Sequence, residues 1–136
     1  MKIIIMCLLF VLSMAVSAGQ VYQGCVKVKN LKGWAAKERN AYEVETDGFS
    51  IDTFYLNFGS PDKQDGWMTN SKYGEQVPCF NYGVLICIKN GDPTQVMTWS
   101  LDDNLSKVIH TRHIGDGLFG GTMMMTGDNV GKCDKD

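Results

Sequence analysis

The chain has 136 residues, of which 44% are hydrophobic, with five cysteines and a formal net charge of −2. That length holds a single domain and excludes a multidomain enzyme. The slightly acidic balance does not attract polyanions, which argues against nucleic acid as a partner.

Met1-Lys2 is followed by Ile3 to Leu12 without a polar residue, and Val16-Ser17-Ala18 supplies the small side chains that a signal peptidase reads. Residues 1–18 are therefore expected to be a cleaved secretory signal, and 19–136 a single secreted, extracellular domain. The apolar run is about half the ~20 residues a membrane-spanning helix needs, so no transmembrane segment is expected. Removing Lys2 turns 13 basic residues into 12, against 15 acidic ones. Apolar content falls to roughly 38% of what remains, a lean supply for a core.

Cys7 leaves with the signal. The remaining Cys25, Cys79, Cys87 and Cys133 read as two disulfides in an oxidising compartment. Zinc would want close pairs such as Cys-x2-Cys, and none is present. Three pairings are open on spacing alone. The expected one joins Cys25 to Cys133, tying the two ends, and Cys79 to Cys87, closing a short loop.

Alternation with period two dominates the mature chain. Cys25 to Lys29 sets valines against lysines. Leu31 to Tyr42 competes for a short helix, although Gly33 interrupts it. Tyr42, Val44 and Thr46 alternate with Glu43 and Glu45, and Phe54, Leu56 and Phe58 with Tyr55 and Asn57. Gly83 to Ile88 reads as a strand buried on both faces. Gln95 to Leu101, Ser106 to Thr111 and Gly121 to Thr126 complete the series. Asp47-Gly48, Asp65-Gly66, Asn90-Gly91 and Asp116-Gly117 are turn signals. The expected fold is all-β, a small disulfide-stapled sandwich or barrel of about seven short strands with one short helix near residues 31–42. Trp34, Trp67 and Trp99 are almost evenly spaced, but the residues after them do not match, so no internal repeat is inferred.

Little of the chemistry points to an enzyme. His110 and His113 flank Thr111 and Arg112, a group that nucleolytic or metal chemistry could use. On a strand, however, the two histidines face opposite ways, and exposed strand histidines are the expectation. No Gly-x-Ser-x-Gly turn is present, and the cysteines are taken by bridges. No catalytic residue, metal site or cofactor is assigned. Asp102-Asp103-Asn104 does not resemble a calcium loop. Asn104-Leu105-Ser106 is a glycosylation sequon. Lys27, Lys29, Lys32, Lys37 and Arg39 form a basic stretch, read as a solvated face that blocks edge pairing.

Gly59 to Gln76 reads as a long irregular loop carrying aromatic residues among amides and acids. Asp65, Trp67, Asn70 and Tyr73 are the ligand-binding candidates, because aromatic faces beside planar acceptors suit sugars and also anchor protein interfaces. The expected function is a secreted, non-enzymatic effector or recognition protein, of lectin-like, defence or toxin-like type, that binds an extracellular glycan or protein surface. An extracellular structural or matrix protein is the alternative, and a small secreted hydrolase a more distant one.

Overall fold

The computed structural model describes residues 22–49, 52–60, 63, 65–71, 74–91, 93–116 and 120–134. Residues 1–18, expected to be a signal segment, and Tyr73 lie outside them. The described residues form nine strands: β1 (Cys25–Lys37), β2 (Val44–Phe49), β3 (Phe54–Asn57), β4 (Asp65–Thr69), β5 (Val77–Asn81), β6 (Leu85–Lys89), β7 (Gln95–Leu101), β8 (Lys107–Ile114) and β9 (Gly121–Lys132). The expectation of about seven was low because two strands were hidden. β4 lies in the presumed loop and β5 directly after it, whereas the segment read as helix-forming is the continuation of β1.

From β3 to β9 each strand pairs antiparallel with the next, and β9 pairs with β1. The first half of β1 pairs with β3, which closes an eight-stranded barrel, and the second half pairs with β2 as an additional strand. Closure removes the exposed edges that an open sheet would present, except at β2, which pairs only with β1. β1 is long enough for both partners because it continues through Lys37, where a helix had been expected. The helical content there is one 3-10 turn, Glu38–Asn40. Ala35 and Lys37 face inward and Trp34 outward, a period of two that no helix permits.

Alternation fills the barrel. Val26, Val28 and Leu31 of β1 point inward, as do Phe54 and Leu56 of β3, with Phe58 just beyond it. Leu85 and Cys87, Met97 and Trp99, Val108, and Met123 and Met125 complete the core. Eight strands enclose a space that side chains can fill. Trp99 is 0% exposed.

β6 corrects one expectation: Leu85 and Cys87 are buried while Ile88 is exposed, so only one of its faces is covered. Two glycine dipeptides are also not turns. Gly48 lies in β2 and Gly66 in β4, and a Cβ at either would meet a neighbouring strand's carbonyl oxygen, Leu31 at 2.7 Å or Asn57 at 2.6 Å. Close approach between strands is what these two glycines serve.

Both disulfides form as expected. Cys25–Cys133 ties the start of β1 to the end of β9, and Cys79–Cys87 joins directly opposed residues of β5 and β6 inside the wall. At the Cys25 end, Tyr22 packs edge-on against Phe58 at 5.4 Å, and Asn81 Nδ2 donates to the Phe58 carbonyl. That end is packed by aromatic side chains. The other end is different.

Candidate functional site

At the end of the barrel where β1 finishes, charged side chains turn inward. Lys37 is only 8% exposed, and its Nζ lies 2.5 Å from Asp47 Oδ2 and 3.3 Å from Glu45 Oε1. Arg39 approaches Glu45 at 3.5 Å, and Asn40 Nδ2 donates to Glu45 Oε2 at 2.6 Å. These pairings explain an inversion in β2. Val44 and Thr46 face outward and Glu45 and Asp47 inward, the reverse of the sequence expectation, because the buried Lys37 ammonium needs carboxylates beside it. Burial works to raise the Asp47 carboxyl, but the hydrogen bonds from Lys37 and the Gly48 N–H, with the charges of Lys37 and Arg39, hold it below the usual range.

Beside this group, β8 presents His110, Arg112 and Ile114 to the interior. Arg112 Nη2 donates to Gln95 Oε1 at 2.6 Å, while its Nε is buried without a partner. Burial lowers the Arg112 guanidinium from its ordinary value, and the charge of Asp47 opposes that shift. His110 is buried, not exposed as expected. Its Nδ1 donates to the Thr98 carbonyl at 3.0 Å, and its ring stacks on Trp99. Trp99 Nε1 is a second buried donor without a partner. His113 faces outward, with Nδ1 3.2 Å from Thr122 Oγ1.

The outer wall carries a separate feature. Trp34 is 58% exposed and stands between Thr46 of β2 and Met124 of β9 as their cross-strand partner. A mainly apolar cavity of about 350 Å³ opens there, lined by Lys32, Gly33, Trp34, Thr46, Asp47, Met124, Met125 and Thr126. A large aromatic face left exposed on a strand paired on both sides is a rigid contact surface.

The residues singled out from sequence are only partly brought together. Asp65, Trp67 and Thr69 belong to β4, so the stretch from Gly59 to Gln76 is not one irregular loop. Trp67 faces outward and half-buried against its partners Asn57 and Pro78. Asp65 lies two residues before it on the same face, with Oδ1 accepting a hydrogen bond from Ser60 N–H at 3.3 Å. Asn70 is exposed just after the strand. Asn104 is exposed in the β7–β8 turn, whose Asp102 carboxylate accepts from Ser106 N–H, Ser106 Oγ and Lys107 N–H. That carboxylate is engaged in shaping the turn.

Among the described residues, no three of His, Cys, Asp and Glu gather to hold a metal ion, and no helix is long and apolar enough to cross a membrane. Comparison with protein-family models, curated proteins and solved structures found no match to this chain.

Proposed function

We propose that the protein is a secreted, non-enzymatic recognition protein that engages an extracellular glycan or protein surface through the outer groove at Trp34. The observation that carries this reading is Trp34 itself, 58% exposed beside an apolar hollow of about 350 Å³. Tryptophan in such a setting supplies a flat, pre-positioned face for sugar C–H groups or an apolar side chain at little entropic cost. The non-enzymatic part is supported by how the reactive groups are spent. Cys25, Cys79, Cys87 and Cys133 are in disulfides, and His110 and His113 stand on opposite faces of β8, so they do not flank one substrate.

Screening the folded protein against a glycan array and a panel of extracellular proteins tests the reading. Specific binding is expected, weakened at least about tenfold by Trp34→Ala with the melting temperature unchanged. Equal binding by that variant sinks the groove assignment. Loss in Trp67→Ala instead would return the site to β4, and no binding above an unfolded control would overturn recognition altogether.

A further inference from the structure

The charged end of the barrel interior is independent of the Trp34 groove and has its own chemistry. Lys37, Arg39 and Arg112 stand there against two carboxylates, Glu45 and Asp47, which leaves one positive charge in excess. The excess falls on Arg112. Lys37 and Arg39 have carboxylate partners, whereas among the described residues no carboxylate lies within ion-pair distance of Arg112. Its one hydrogen bond goes to the neutral Gln95, and its Nε–H points to no acceptor. A guanidinium without a counter-charge in a low-dielectric setting is costly unless an anion reaches it.

A second orphan donor lies close by. Trp99 pairs across the sheet with His110, and Met97 with Arg112, so Trp99 and Arg112 are diagonal neighbours on the inner wall. Trp99 is wholly buried, and its Nε1–H has no partner. Met97 and Met123 are the cross-strand partners of Arg112 and Met125 that of His110, and all three are buried. Methionine has three rotatable bonds and repacks readily, so this part of the core can adapt to a guest.

We propose that this end of the barrel binds a small organic monocarboxylate, its carboxylate received by Arg112 and Trp99 and its apolar body by the three methionines. A carboxylate matches the planar fork of arginine and supplies the single negative charge the cluster lacks. A divalent anion would over-compensate and be repelled by Asp47 and Glu45. Water would satisfy the hydrogen bonds but not the charge.

Hexanoate and benzoate are the probes, with chloride and inorganic phosphate as controls, followed by NMR of the Arg112 Nε–H and Trp99 Nε1–H resonances in the wild-type protein. Both resonances are expected to shift saturably with either carboxylate and not with chloride or phosphate. Arg112→Lys, which keeps the charge and loses the fork, is expected to weaken binding by about tenfold, and Arg112→Met to abolish it. Arg112→Met is also expected to melt at a higher temperature than the wild type, since it removes an uncompensated buried charge. Unmoved resonances, equal shifts with phosphate or chloride, or undiminished binding by folded Arg112→Met would each overturn the proposal. If Arg112→Met fails to fold, the wild-type titration still decides the matter.

Discussion

The rings of Trp99 and His110 lie face to face across β7 and β8, their centroids 3.7 Å apart and their planes 21° from parallel. The stack is buried in the barrel, where Phe54 also packs on the indole at a tilt, with centroids 5.3 Å apart. Because the Thr98 carbonyl can only accept, the hydrogen bond to it places the His110 proton on Nδ1. Burial drives the imidazole pKa down to about 4; the Thr98 bond opposes the shift and the charge of Arg112 adds to it.

A depressed imidazole pKa means that the unfolded chain takes up the proton first. The stability held by neutral His110 is therefore complete above about pH 6.5 and is lost as pH falls toward about 4. The shift corresponds to about 3 kcal/mol. Thermal melts across that window are expected to show a steep fall for the wild type. His110→Phe keeps an aromatic partner for Trp99 but has nothing to protonate, so its melting temperature should fall distinctly less. Parallel profiles would show that other groups carry the acid sensitivity.

Gly33 sits in the seam between β1 and β9, where there is no room for a side chain. A Cβ there would lie 2.0 Å from the Met124 carbonyl oxygen and 2.7 Å from Met125 Cα, both backbone atoms that cannot rotate away. Gly33→Ala therefore has to part the seam that closes the barrel, and a loss of about 3 kcal/mol or more is expected in urea unfolding. Gly115→Ala is the control. Its nearest neighbour would be the Thr94 carbonyl oxygen at 3.8 Å, so a change within about 0.5 kcal/mol is expected. Similar losses in the two variants would mean that the seam relaxes around a methyl group.

The strands whose inner face is apolar were legible from alternation: Cys25 to Lys29 and Phe54 to Phe58 face as their residue types suggest. β2 was not. A period-two rule assigns the apolar residues to the inside, and here the inside contains Lys37, so Val44 ends up 72% exposed while Glu45 and Asp47 turn inward. Nothing local distinguishes Lys37 from Lys27, Lys29 and Lys32; its burial follows from the pairing of β1 with both β2 and β9. The Trp34 groove was hidden for the same reason, since Met124 and Thr46 reach Trp34 only through strand pairing. Arg112 could have been found. On a strand, His110, Arg112 and Ile114 share a face, and the apolar Ile114 marks that face as the inner one.

The two disulfides should differ in how they yield to reductant. Cys25 and Cys133 are half-buried at an end of the barrel, whereas Cys79 and Cys87 are buried in its wall. Thiolate attack needs access to sulfur, so dithiothreitol under native conditions is expected to open Cys25–Cys133 first. Alkylation and peptide mass spectrometry would read the order directly. The bridge spans 108 residues in sequence, and its loss is expected to cost about 4–5 kcal/mol on the chain-entropy account. Simultaneous labelling of all four cysteines would instead indicate that reduction requires global unfolding.

Lys37 separates structural charge from binding charge. Its ammonium is buried and held by Asp47 and Glu45, so Lys37→Met leaves two carboxylates facing each other with Arg39 as the remaining ion-pair partner and the Arg112 charge farther off. Breaking such a pair from one side strands the other, and a loss of about 2–3 kcal/mol is expected at neutral pH. Protonating the carboxylates relieves the repulsion, so the deficit relative to wild type should shrink as pH falls. The double variant Lys37→Met/Asp47→Leu removes both ends of the shortest contact and should recover part of the loss, because an apolar pair of similar size costs no desolvation. Urea titrations of wild type, single and double variants measure the coupling directly. A double variant less stable than Lys37→Met would mean that Asp47 is held chiefly by Gly48 and the neighbouring Arg112 field, and that Lys37 is a passenger in the interior.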